Sequence, residues 1–143
     1  MPYEYLDDGV TSDVTLCARG ATLDELFTAA SDAVTNLMVE QLDSVRPLTV
    51  APVELFDEAL DLLLVKLLDE ILFHKDASAL LLRATSVHVA SSKRGHHLSA
   101  ELRGERIDPT RHQLLADPKA VTLHGLRVAH DALGWSAHVT IDV

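Results

Sequence analysis

The sequence predicts an α+β protein, a two-layer sandwich in which two helices cover one face of a mixed, mostly antiparallel sheet. Two segments have apolar residues at helical spacing, and several others alternate apolar and polar residues between glycine and aspartate. The order is strands, helix, strand, helix and a final series of hairpins, which places both helices on one sheet. With 143 residues and no repeat, we expect one domain spanning residues 1–143.

The first part of the chain predicts two short strands and a helix. The strands are YEYL and DVTLCARG, on either side of an acidic loop, DDGVTS. The next segment, ATLDELFTAASDAVTNLM, has the apolar stripe of an amphipathic helix. Thr22 and Glu25 have the spacing of a capping box, which predicts that the helix begins there.

The middle of the chain predicts a short strand, RPLTVAPVE, followed by a second helix. Pro52 is expected to mark the entry to this helix, which would run from about Glu54 to Phe73. The wide apolar face of this helix contains Leu60, Leu63, Leu64, Leu67, Leu68, Ile71 and Leu72.

The remainder of the chain, from LLLRATSVHVASS to WSAHVTIDV, predicts antiparallel strands with one buried face. The segment SSKRGHH has the composition of a hairpin tip between two of them. At the end of the chain, Val139, Ile141 and Val143 alternate with polar residues, so the last strand is expected to run to the final residue.

Composition excludes several classes of protein. The formal net charge of −10 argues against binding to a phosphate backbone, so we expect no strong direct contact with nucleic acid. No window has the roughly 20 uncharged apolar residues of a membrane span, and the first residues do not have the pattern of a secretory signal. A single cysteine, Cys17, excludes an internal disulfide and indicates a reduced, cytoplasmic protein in which this thiol is a buried small residue.

Nucleophile and phosphate-binding motifs do not occur. The chain contains neither G-x-S-x-G nor a glycine-rich phosphate loop, so an independent enzyme is poorly supported. Eight histidines are present, but His124, His130 and His138 are expected to fall in different strands and do not have zinc-site spacing. We expect most of the histidines to be solvated strand or turn residues.

Carboxylates near the two ends of the chain suggest a different kind of site. If the strand that begins at Asp13 lies beside the last strand, Asp13 and Asp142 can face a common ion, with further oxygens from Val143. Ca²⁺ and Mg²⁺ prefer such all-oxygen ligands. Alternatively, Asp13 caps a turn and Asp142 is a solvated surface residue, and spacing alone favours this second interpretation.

Two turns precede the penultimate strand. DPTRH has Asp108 in a capping position and Pro109 to fix the backbone, and DPK delivers Lys119 to the start of AVTLHGL. A lysine at the entrance of a strand usually protects an edge from aggregation. It can also contact an anionic partner or substrate.

Taken together, these segments resemble the archease family in order and over nearly the whole chain. The resemblance rests on YEYLD…TSDV, the two helical segments, IDPTRH, DPKAVTLHGLRV, GW and the final IDV. It implies a small α+β accessory protein, not an enzyme, that promotes guanylylation and multiple turnover of an RtcB-type RNA ligase in tRNA splicing or RNA repair. That ligase is guanylylated on a histidine, with GTP and a divalent metal, and joins a 2′,3′-cyclic or 3′-phosphate end to a 5′-hydroxyl. The alternative that the family suggests is a chaperone-like modulator of a tRNA methyltransferase, with carboxylates that are only structural.

The resemblance also implies site residues. The family's metal ligands correspond to Asp13, Asp142 and Val143, with Ca²⁺ as the expected ion and Mg²⁺ or Mn²⁺ as alternatives, and its functional lysine corresponds to Lys119. The family's H-T-A-D motif is replaced by DGVTSD, so the histidine is absent and Asp8 becomes an additional candidate ligand. Neither the oligomeric state nor the identity of the metal follows from the sequence.

Overall fold

The computed structural model describes residues 2–6 and 13–143, which form two α-helices, one short 3-10 helix and seven strands. The helices are α1 (Leu23–Met38) and α2 (Leu60–Ser78), and the 3-10 helix is Leu42–Ser44. The strands are β1 (Tyr3–Leu6), β2 (Asp13–Gly20), β3 (Thr49–Asp57), β4 (Leu80–Ser92), β5 (Gly95–Arg106), β6 (Ala120–Asp131) and β7 (Gly134–Asp142). Among the helices of these residues, none is both long and apolar enough to cross a membrane.

The strands form two sheets, ordered β1-β2-β7-β6 and β3-β5-β4, in which every described pair is antiparallel. The predicted α+β class with two helices against antiparallel strands is confirmed. The strands divide between two antiparallel sheets, however, and do not form one mixed sheet. Alternation of apolar and polar residues identifies a buried face of a strand but not the strand's neighbours, so it does not reveal this division.

Helix α1 lies against both sheets. It begins as predicted, because Thr22 Oγ1 accepts a hydrogen bond from Glu25 N at 3.2 Å and Glu25 Oε2 accepts one from Thr22 N at 3.3 Å. The helix packs on β2 of one sheet and β4 of the other. Within the core, Thr35 Oγ1 donates to Leu82 O at 2.7 Å. Helix α1 therefore holds the two sheets together.

Helix α2 begins later than predicted. Pro52 does not open the helix but lies inside β3, opposite Glu101 of β5. Strand β3 is an edge strand, where a residue without a backbone N–H can face the unpaired side. The helix starts at Leu60 and continues five residues beyond Phe73. The predicted apolar face is buried, apart from the half-buried Leu60, and the additional C-terminal turn contains Lys75.

Strands β2 and β7 are neighbours inside the four-stranded sheet, and their alternate residues divide between two faces. Leu16, Val139 and Ile141 are fully buried in the core. Asp13 and Asp142 have the opposite parity and lie on the other face, where both are half-buried. The fold therefore places these two carboxylates outside the core.

Candidate functional site

Asp13 and Asp142 are directly opposite each other. The register of β2 and β7 pairs their Cα atoms. In the next pair along, Val14 with Ile141, the side chain of Ile141 is in the core. Residues opposite each other on antiparallel strands present their side chains on the same face. The structure therefore brings the two predicted aspartates together, on one face and at one end of the sheet.

Lys119 lies beside this pair. Its backbone N–H donates to the carbonyl oxygen of Asp142 at 2.7 Å, and the following residue, Ala120, is the β6 partner of Asp142. The side chain of Lys119 is exposed. Three strands thus contribute to one end of the sheet: Asp13 from β2, Asp142 from β7 and Lys119 from the entrance to β6.

A row of hydroxyl groups follows the aspartates on the same face. Thr15 and Thr140 are register partners, and their Oγ1 atoms are 3.1 Å apart. Thr122 of β6 pairs with Thr140, and its Oγ1 is buried without a hydrogen-bond partner among the described residues. Sequence reasoning missed these threonines, although Thr15 and Thr140 each stand two residues from an aspartate.

The connection that leads to Lys119 is anchored by helix α2. Lys75 Nζ donates to Asp117 Oδ1 at 2.6 Å and to the carbonyl oxygen of Pro118. Lys75 is 8% exposed, one of the few buried polar residues of the described chain. Because Asp117 and Pro118 are 42 and 43 positions away in sequence, no local motif points to this role of Lys75.

The residues of the DPTRH turn form a hydrogen-bonded cluster next to Glu105. Asp108 Oδ1 accepts hydrogen bonds from the backbone N–H and hydroxyl of Thr110, which confirms the capping role of Asp108 and lowers its pKa. The backbone N–H of Asp108 donates to His112 Nδ1 at 2.9 Å, so His112 Nε2 carries the proton that is shared with Glu105 Oε2 at 3.1 Å. His112 is therefore a core histidine and an exception to the solvated positions expected for most of the histidines. His124 and His130, which were expected in different strands, both lie in β6.

Glu105 is buried, but several donors hold it in its charged form. Burial alone would raise its pKa, yet hydrogen bonds from the Arg46 backbone N–H, from Arg111 and from His112 outweigh burial and lower the pKa to about 2. The Arg111 guanidinium also donates to Ser44 O at 2.8 Å. These contacts fix the beginning of the connection between β5 and β6.

Cys17 is buried, as predicted. Its Sγ lies 3.5 Å from His138 Nε2. Burial raises the pKa of the Cys17 thiol and lowers the pKa of the His138 imidazole. Both shifts favour the neutral forms, so this pair does not have the thiolate and imidazolium of an activated nucleophile.

The donor atoms at the aspartate pair suit a hard cation. Two carboxylates lie on one face, and Val143, the residue after Asp142, would add a main-chain oxygen. Such an all-oxygen set is of the kind that Ca²⁺, Mg²⁺ and Mn²⁺ prefer. Within residues 2–6 and 13–143, no group of three or more His, Cys, Asp or Glu side chains is arranged to hold a metal ion. The predicted additional ligand Asp8, with the rest of the DDGVTS loop, lies outside the described residues.

The comparisons with known proteins all point to one family. A model of the archease protein family (MTH1598/TM1083) matches residues 3–143. Protein archease of Pyrococcus abyssi is 30% identical over 134 residues, which are 93% of this chain and 94% of the relative.

Solved structures agree. The solution structure of Methanobacterium thermoautotrophicum protein 1598 has a TM-score of 0.83 and 29% identity, over 99% of both chains. The crystal structure of an archease from Thermotoga maritima, described as a possible chaperone, has a TM-score of 0.60 at 14% identity and covers 94% of this chain and 93% of its own, so it supports the fold. The chain belongs to the archease family.

Proposed function

We propose that this chain is an accessory protein that promotes guanylylation and multiple turnover of an RtcB-type RNA ligase, in tRNA splicing or RNA repair. Membership of the archease family supports an accessory role. The observation that carries the proposal is the register that places Asp13 opposite Asp142 beside the entrance to β6. The residues that the family resemblance assigns to function come from distant parts of the sequence and lie together in the fold.

Asp13, Asp142 and a main-chain oxygen of Val143 would hold a divalent cation, with Ca²⁺ as the first expectation and Mg²⁺ or Mn²⁺ as alternatives. When bound, such an ion supplies positive charge to phosphate oxygens during nucleotidyl transfer. The chain's own part is to hold two carboxylates on one face of a paired sheet, where the β2–β7 register limits how far they can separate. Lys119, exposed beside them, would contact a phosphate or an acidic group of the ligase–nucleotide complex.

The net charge of −10 suits a protein partner better than RNA. An RNA ligase needs a basic surface for its substrate, and an acidic accessory protein would be steered towards that surface. The acidic chain therefore does not need to contact RNA itself. This interaction predicts that association with the ligase weakens as the salt concentration rises.

The direct test is ligase guanylylation with GTP and Mn²⁺, with the wild-type chain, Asp142→Asn and Asp131→Asn. The control Asp131 lies at the opposite end of the β6–β7 hairpin, where its Oδ1 accepts from Leu133 N, a role that asparagine retains. We expect Asp142→Asn to lose most of the stimulation and Asp131→Asn to keep it. Full stimulation by Asp142→Asn would refute the proposal.

A second candidate function is chaperone-like modulation of a tRNA methyltransferase. It is favoured by a groove of about 460 Å³ beside the β5–β6 connection, where Leu114 and Leu115 are 43% and 58% exposed. This function predicts that Leu115→Ser weakens the activity while Asp142→Asn does not. The ligase proposal predicts the reverse, so methyltransferase and ligase assays on these two variants separate the alternatives.

A further inference from the structure

Lys75 is a buried ammonium group with no part in the core itself. It stands in the last turn of α2 and is 8% exposed. A buried charge is expensive unless polar partners surround it. The fold must therefore provide oxygens at this position, and these oxygens show which segment the lysine holds.

The oxygens come mainly from the two residues before Lys119. Lys75 Nζ donates to Asp117 Oδ1 at 2.6 Å and to Pro118 O, and it lies 3.0 Å from Asp76 Oδ1 on its own helix. The side chain of Asp117 is 78% exposed, so its carboxylate is in contact with solvent, whereas the amine of Lys75 is buried. The buried lysine holds the exposed loop.

The next residue is bound to the end of β7. Lys119 N donates to Asp142 O at 2.7 Å. The segment 117–119 therefore lies between two rigid elements, α2 on one side and β7 on the other. Upstream, Leu115 N and Ala116 N donate to Met38 O and Leu37 O at the end of α1, at 2.9 and 3.0 Å.

We propose that Lys75 is a positioning residue that sets where Lys119 meets the Asp13–Asp142 pair. The expected effect of Lys75 on the ligase rests on the proposed function. Its effect on the position of Lys119 does not. Without the Lys75 contacts, residues 117 and 118 would lose their bonds to α2, and Lys119 would keep only the bond to β7. The aspartates would stay in place, because the β2–β7 register holds them.

The test compares Lys75→Met with Lys66→Met. Lys66 is a matched control on the same helix, since its Nζ also donates to a main-chain oxygen, Phe56 O at 2.6 Å, and pairs with a carboxylate, Asp57 at 3.1 Å. The first readout is hydrogen exchange of the Lys119 amide. We expect this exchange to be at least about tenfold faster in Lys75→Met than in the wild type or Lys66→Met. Unchanged exchange would overturn the inference whatever the ligase does.

The second readout is ligase guanylylation. We expect Lys75→Met to lower the maximal stimulation of the ligase by about 10- to 100-fold, because a displaced functional group loses about this much activity. Divalent-metal affinity should stay within about twofold of the wild type, because the aspartates do not move. The loss should disappear when Lys119→Met is already present. A further loss in the double variant, or a parallel loss of metal binding, would identify general destabilisation and contradict a positioning role.

Two outcomes separate this inference from the proposed function. If Lys119 exchange accelerates in Lys75→Met but Lys119→Met stimulates the ligase fully, Lys75 positions the loop and the proposed role of Lys119 is wrong. If Lys119→Met abolishes stimulation and Lys75→Met does not reduce it, the positioning role is wrong. Should Lys75→Met fail to fold, Asp117→Ala removes both the ion pair and the hydrogen bond from the exposed side. Because the bond to Pro118 O remains, we expect changes in the same direction but smaller.

Discussion

His112 Nε2 lies 3.1 Å from Glu105 Oε2, and both side chains are buried. The contact joins the DPTRH turn to the last residues of β5. Since the other imidazole nitrogen accepts the backbone N–H of Asp108, the histidine is held on both sides. This pair makes the stability of the fold depend on pH through the carboxylate.

Stability should fall in acid because of Glu105. Its pKa is lowered to about 2 in the folded state, from an ordinary value of 4.5. A depressed carboxyl pKa contributes stability that is complete above the unfolded pKa and is lost as the pH falls through the folded pKa. We therefore expect Glu105→Gln to cost about 2 kcal/mol at pH 6, a deficit that shrinks between pH 4.5 and pH 2.

Urea unfolding at a series of pH values measures this effect. Glu58→Gln, at an exposed position, is the control and should follow the wild type throughout. A deficit for Glu105→Gln that stays constant with pH would show that the carboxylate charge is not responsible.

Gly104 cannot accept a side chain. A Cβ atom at this position would lie 1.8 Å from Leu81 O of the neighbouring strand. We expect Gly104→Ala to cost more than about 3 kcal/mol, because the central strand β5 would have to move. Gly125→Ala is the matched control, since a Cβ there meets nothing within 4 Å and only its φ of +66° opposes alanine. It should cost about 1 kcal/mol. Equal losses in thermal unfolding would contradict the close approach of β4 to Gly104.

Ala79 ends α2 in a left-handed conformation, with φ of 53° and ψ of 40°. Glycine adopts this conformation without the steric cost that alanine pays. Ala79→Gly should therefore stabilise the protein by about 1 kcal/mol. Ala77→Gly, two residues earlier and still within the helix, should destabilise it by a similar amount. Calorimetric melting of the two variants checks the opposite signs, and destabilisation by Ala79→Gly would contradict the assigned cap.

Local patterns predicted much of the fold. The capping box at Thr22 and Glu25 marked the start of α1, and alternation located all the strands of the C-terminal half. Pro52 misled the prediction of α2, because a proline before a leucine-rich segment is as compatible with an edge strand as with a helix start. Neither the capping box nor the alternation of apolar and polar residues shows which strands are neighbours in a sheet.

In the candidate site, too, some residues could be predicted from the sequence and others depend on contacts that only the fold shows. The family resemblance assigns Asp13, Asp142 and Lys119 to function, whereas spacing alone favours ordinary surface roles for the aspartates. The fold places all three at one end of a sheet. Lys75 could not have been selected, since a lysine in the last turn of a helix is ordinary in sequence and gains its meaning only from contacts with Asp117 and Pro118.

The proposed function requires Asp13 and Asp142 to form one cation-binding unit. Titration calorimetry with Ca²⁺, Mg²⁺ and Mn²⁺ measures this most directly, on the wild type, Asp13→Asn, Asp142→Asn and the control Asp131→Asn. We predict that the wild type and Asp131→Asn bind alike, and that Asp13→Asn and Asp142→Asn each lose at least about tenfold in affinity, as removal of a ligand charge does. Binding by Asp13→Asn and Asp142→Asn that equals the wild type would contradict a shared cation site at these two residues.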